Sequence, residues 1–181
     1  MALHFVASLF GLLITFYELN FIGNRVIFQY SGWFLISSTL LHIYQILFKP
    51  PNVYAYNMVV IGLGIVLPAA IPSLISFNYN LTSYLLYDVG NHIIMPFCTI
   101  FHLNNTIYKT IVNSFLFITI YNLLYALTLE FGTNKKPYKL LDDFNLSLRI
   151  VLYFGLTFYG YFLLFLLTKI PFIRNNQLIR V

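Results

Sequence analysis

Six apolar runs follow one another along the chain, each roughly 16–25 residues long, the length that a ~30 Å hydrocarbon core asks of a helix. They cover about 3–21, 32–48, 57–77, 83–103, 108–129 and 146–170. Their continuity argues against a membrane β-barrel, whose strands alternate in short units. An ordinary soluble fold is excluded as well. Of the 181 residues, 60% are hydrophobic and 8% charged, against ~45–50% and ~25% in a typical soluble domain. The solvent must be lipid, where every backbone polar group needs an internal partner. The expected fold is all-α: a polytopic membrane bundle of about six helices, forming one domain over 1–181.

The breaks between runs are chemically marked. Lys49-Pro50-Pro51-Asn52 should stop the second helix, because proline removes an amide donor and biases its predecessor away from helix. Asn78–Thr82 reads as a short polar turn, Gly132–Asp143 as the one sizeable loop, and Arg174–Val181 as a polar tail. Tyrosines at the span ends suggest an aromatic belt. The first run lacks a basic leader and a small-residue cleavage site, so it reads as a retained spanning helix. With six spans, Lys49, Lys109, Lys169, Arg174 and Arg180 fall on one side. Arg25, Lys135, Lys136, Lys139 and Arg149 fall on the other, so the positive-inside rule has no asymmetry to act on. The sequons at Asn80, Asn104 and Asn145 fall on both sides.

The net charge of +5 is spread over scattered basic residues, which suit anionic lipid headgroups rather than nucleic acid. Cys98 is the lone cysteine, which excludes an internal disulfide and a cysteine-rich metal site.

Against this background the run from Ser83 to Leu103 stands out. It carries Asp88, Asn91 and His92 near its middle, and an Asp at the centre of a spanning helix costs at least ~2.5–3.5 kcal/mol. Asp88 and His92 are four apart and share a helical face, with Asn91 beside Asp88. A carboxylate one turn from an imidazole fixes its tautomer and stabilises its protonated form, as a general base requires. The same cluster also suits a second role, interhelical hydrogen bonding. Pro96 lies four residues after His92 and should bend the helix there.

The second run carries Ser37, Ser38, His42 and Gln45. Intramembrane serines commonly bond back to their own helix. Both runs begin on the same side of the membrane, and at ~1.5 Å per residue the serines and His92 differ in depth by only a few ångström. A Ser–His pair is therefore geometrically permitted. His4 and His102 sit at span ends, where headgroup contact is the ordinary explanation. A zinc site drawn from His42, His92, His102 and Asp88 lacks a short ligand motif. Gly62, Gly64, Pro68 and Pro72 indicate close packing and a kink in the third helix.

Three stretches resemble the androgen-induced and androgen-dependent membrane proteins, small multi-span hydrolases of fatty-acid esters of hydroxy fatty acids. They are Gly32-Trp33-Phe34-Leu35-Ile36-Ser37-Ser38, Gly90-Asn91-His92-Ile93-Ile94-Met95-Pro96-Phe97, and Pro137-Tyr138 through Arg149-Ile150-Val151-Leu152-Tyr153-Phe154-Gly155. The resemblance implies an intramembrane hydroxyl nucleophile activated by a histidine base. His92 takes the base position, with Asp88, where that family has Asn, or Asn91 orienting the ring. Spacing from Trp33 makes Ser37 the nucleophile, whereas spacing back from Gln45 makes it Ser38. Asn91 and the Trp33 indole are the candidate oxyanion donors. The implied substrate is a fatty-acyl ester arriving from membrane lipid, in the endoplasmic reticulum or another endomembrane. No metal, organic cofactor, nucleic acid or specific protein partner is implied. The competing expectation is a non-catalytic protein, a small transporter or assembly subunit, in which Asp88 and His92 form a proton relay or interhelical glue.

Overall fold

The structure, a computed structural model, describes residues 1–21, 23–48, 52–75, 83–105, 111–132, 138, 141 and 143–169. The expected stop at Lys49-Pro50-Pro51, the turn at 78–82, the lysines at 109, 135, 136 and 139, and the tail from 174 lie outside these residues. The described residues are all-α. Helix α1 spans Ala2–Phe21, and a 3₁₀ segment, Gly23–Phe28, leads into α2, Tyr30–Leu47. Then α3 (Asn52–Ile61) passes through a π-helical stretch, Gly62–Val66, into α4 (Leu67–Ile75). A longer π-helix, Tyr84–Ile94, continues as α5 (Met95–Cys98) and a 3₁₀ segment, Thr99–Asn105. Helices α6 (Ile111–Gly132) and α7 (Leu146–Thr168) complete the fold.

Four helices are long and apolar enough to cross a membrane: Ala2–Phe21, Val53–Ile71, Asn113–Gly132 and Leu146–Leu167. Among the described residues they match four of the six expected runs. The two runs that fall short, 32–48 and 83–103, are the two that carry the polar side chains. The second is also no regular α-helix but a π, α and 3₁₀ succession.

Burial is inverted relative to a soluble protein. Glu18, Ser38, His42, Asn57, Asp88 and Asn91 are fully buried, while Phe16, Leu116, Phe131, Phe158 and Phe162 are exposed. Apolar side chains outside and polar ones inside are stable only where the surroundings are hydrocarbon. The chain is a membrane protein. Its most enclosed long helix is Val53–Ile71, 56% buried, and its most peripheral is Leu146–Leu167, 11% buried.

The core gathers around Phe34, Leu35, Ile14, Ile61, Met95 and Leu129. Small residues let the backbones approach, as packing in lipid favours. A Cβ on Gly62 would meet the Phe34 ring at 2.8 Å and the Pro96 Cα at 3.2 Å, and one on Gly160 would meet Ile118 at 2.9 Å. The tyrosines do not all form a belt. Tyr30, Tyr56, Tyr121 and Tyr125 are buried. Tyr30 Oη donates to Asn122 Oδ1 at 2.9 Å, and the Tyr30 amide donates to Tyr138 Oη at 2.8 Å. Tyr30 and Trp33 both meet Tyr121 and Tyr125 edge-to-face.

Helices α6 and α7 are clasped at one end. Arg149 donates from Nε and Nη2 to the two Glu130 carboxylate oxygens, at 2.7 and 2.9 Å. Such a fork is stronger and more directional than a single bond. Tyr153 Oη also donates to Glu130, at 2.8 Å. Asn145, the asparagine of one sequon, caps α7 by accepting from the Leu148 amide at 2.9 Å.

Candidate functional site

Two helices are widened in the same way, and one of them holds the polar cluster. The amide of Met95 bonds to the Gly90 carbonyl, and that of Leu67 bonds to the Gly62 carbonyl, five residues back in each case. Each donor immediately precedes a proline, Pro96 or Pro68. Proline cannot donate, and its ring collides with the carbonyl four residues earlier. A turn of i to i−5 spacing moves that carbonyl aside, so the helix continues instead of breaking. The bend expected at Pro96 is thus taken up upstream, in the turn that bears Asn91 and His92.

Within that turn His92 Nδ1 lies 3.8 Å from Asp88 Oδ1, both side chains almost wholly buried. This is ion-pair range, longer than a direct hydrogen bond. Asn91 turns the other way and donates from Nδ2 to Glu18 Oε1 at 2.8 Å. Glu18, near the end of α1, is fully buried. The sequence reading placed one carboxylate deep in the membrane, Asp88, and the structure adds a second. Glu18 sits three residues from the end of its helix, where charge ordinarily reaches the headgroups. Its burial follows from Asn91, which supplies the donor a carboxylate needs in lipid. A nearby bond joins Tyr17 Oη and Ser83 Oγ at 2.7 Å.

Helix α1 also packs against both polar segments. Gly11 lies against both Thr39 and Met95, with a Cβ there striking Thr39 Oγ1 and approaching Met95 Cε at 3.0 Å. Thr39 follows Ser38 directly on α2, and Met95 lies three residues after His92. His4 likewise neighbours His42 and His102, so α2 and the 84–105 segment run parallel, both antiparallel to α1.

The two serines diverge on α2. Ser38 is fully buried and donates to the Leu35 carbonyl at 3.1 Å. Ser37 lies in the wall of an apolar cavity of about 530 Å³ with Tyr44, Tyr54, Met58, Phe117 and Tyr121. Neither contact leads toward His92. Thr39 Oγ1, next in the chain, is buried without a hydrogen-bond partner. Both expected oxyanion donors are engaged inside the protein: Trp33 Nε1 donates to the Ile27 carbonyl at 2.6 Å, and Asn91 to Glu18.

A second cluster, at the opposite end of α1, was not legible as such. His4, His42 and His102 come together, whereas the zinc grouping weighed from sequence joined His42 and His102 to His92 and Asp88. The signal was three histidines near run ends, which sequence spacing does not connect.

Comparison of the chain with protein-family models, with curated proteins and with solved structures finds no match.

Proposed function

We propose that this protein is a multi-pass intramembrane hydrolase of lipid esters, resident in the endoplasmic reticulum or another endomembrane. Ser38 is its nucleophile and His92 its base. The observation that supports the reading is Gly11 of α1, against which Thr39 and Met95 both pack, chain neighbours of Ser38 and His92, with Asp88 at 3.8 Å from His92. The local resemblance of residues 32–38 and 90–97 to hydrolases of fatty-acid esters of hydroxy fatty acids supports it, and suggests such an ester as substrate.

In this mechanism Ser38 Oγ attacks the ester carbonyl carbon while its proton passes to His92. Collapse of the tetrahedral intermediate breaks the acyl–oxygen bond, and the departing alkoxide takes that proton from the imidazolium. Water, deprotonated by His92, then cleaves the acyl–serine ester and releases the fatty acid. Asp88 holds the imidazolium, and Asn91 spaces it from Glu18. Ser38 reaches the reactive rotamer by leaving the Leu35 carbonyl, a bond that catalytic hydroxyls commonly exchange on substrate binding.

A second reading has its own support. Neither serine contact involves His92, which has Asp88 beside it, while its neighbour Asn91 holds a second buried carboxylate, Glu18. That arrangement suits a proton relay in a small transporter, or glue in an assembly subunit.

Reaction of the folded, detergent-solubilised protein with a fluorophosphonate probe separates these readings. Labelling of wild type is expected, with loss in Ser38→Ala and retention in Ser37→Ala. His92→Ala should slow labelling about 10²–10⁴-fold, the usual worth of a general base. Folded wild type that takes no label would overturn the hydrolase reading. Label lost only in Ser37→Ala would move the nucleophile to the cavity wall.

A further inference from the structure

We infer that His4, His42 and His102 form a binding site for a divalent transition metal, with Zn²⁺ as its natural occupant. The site is independent of the polar cluster around His92. Glu18 and His4 are 14 residues apart on α1, about 21 Å along the axis.

Three separate segments deliver the rings: the first turn of α1, the last third of α2 and the 3₁₀ segment after α5. One ring nitrogen from each lies within 4.8 Å of the others, and the Nδ1 atoms of His4 and His42 approach to 3.1 Å. Tetrahedral zinc with Zn–N bonds of ~2.0–2.1 Å holds its nitrogens about 3.3 Å apart. Closing the rings onto an ion therefore needs side-chain movement of an ångström or so. Ring centroids are 4.4–5.3 Å apart and the planes tilt by 34–41°. Three imidazole nitrogens with no thiolate or carboxylate match the His₃ set with one open position that zinc takes.

The ring nitrogens also lack what a metal would provide. His42 Nε2 and both nitrogens of His102 are buried without a hydrogen-bond partner. Buried polar atoms are normally paired, and leaving them so is unfavourable. Three neutral imidazoles offer three lone pairs, which mutual hydrogen bonding here uses at one contact. A cation takes all three. His42 is fully buried and His102 nearly so, while His4 is half-buried. The fourth coordination position accordingly opens on the His4 side, for water or another oxygen ligand. An occupied site would clamp three segments together at one end of the bundle.

The test uses the untagged full-length chain in detergent, stripped with chelator and titrated with Zn²⁺ and, in parallel, Co²⁺. One Zn²⁺ per chain is expected, together with a visible Co²⁺ spectrum of tetrahedral nitrogen coordination that Zn²⁺ abolishes. His4→Gln, His42→Gln and His102→Gln should each weaken Zn²⁺ binding at least ~100-fold, since even outer-shell partners are worth 10–100-fold. His92→Gln should leave the affinity unchanged. Folded wild type that binds no Zn²⁺ at micromolar concentration would overturn the assignment. So would binding that survives all three substitutions, or that depends on His92. If the variants misfold, carbethoxylation of wild type decides. Zn²⁺ should protect His4, His42 and His102 and spare His92 no modification, whereas identical patterns with and without Zn²⁺ would overturn the site.

Discussion

Replacing Gly32 by alanine is expected to destabilise the fold by about 1–3 kcal/mol, the usual cost of forcing atoms into a filled space. The 3₁₀ segment before α2 folds back across its first turn, and the carbonyl of Val26 rests on Gly32. A Cβ there would strike that oxygen and lie 2.9 Å from the Val26 carbonyl carbon. The obstruction is backbone, so no side-chain rotation relieves it. The contact is further fixed by the Gln29 amide, which donates to the same carbonyl at 3.1 Å, and by Trp33 Nε1 on Ile27. Gly155 supplies the control, because a Cβ there meets nothing within 4 Å. Gly155→Ala should be stabilising by about 0.5–1 kcal/mol, the helix-propensity gain alone. Unfolding in mixed micelles with increasing denaturing detergent compares the two. Equal midpoints for both variants would show that the Val26 contact is not a constraint.

Replacing Glu18 by alanine is expected to destabilise by about 1–3 kcal/mol, because the buried Asn91 amide would lose its acceptor. Glutamine in the same place keeps a carbonyl oxygen for Asn91 Nδ2 and removes a carboxylate from beside Asp88, so Glu18→Gln should match wild-type stability. The same unfolding measurement reads both. Loss of stability in Glu18→Gln equal to that in Glu18→Ala would mean that the charge, not the hydrogen bond, holds α1 to the 84–94 π-helix. The pair also bears on function. Under the hydrolase reading Glu18→Gln keeps its reactivity with the fluorophosphonate probe, because Glu18 touches Asn91 and not His92.

Some of this was legible in the residues themselves. Hydrocarbon leaves the backbone few options, so apolar runs of sufficient length announce helices wherever they lie. Proline and glycine positions announced the irregular helices, since a missing donor is a property of the residue. Gly62 and Pro96 do meet where their helices pack. Other features were hidden. Glu18 near a run end is chemically the same residue whether it reaches the headgroups or turns inward. Only Asn91, 73 residues away in sequence, makes the inward choice tolerable. Nothing in the sequence shows that Tyr121 and Tyr125 meet Tyr30 and Trp33 edge-to-face. The runs 32–48 and 83–103 read as spans like the rest, although their polar side chains leave them outside the set of four helices that length and hydropathy qualify.

The sequence alone determined the solvent, the helical class and the residue types available for chemistry, because those depend on composition and on properties of single residues. Tertiary structure decided the company each residue keeps. It brought Thr39 and Met95 together on Gly11, set Ser37 in the wall of an apolar cavity, paired Asn91 with Glu18 and gathered His4, His42 and His102. The reason is physical: in lipid a polar side chain is stable only beside another, and helices distant in sequence supply that partner.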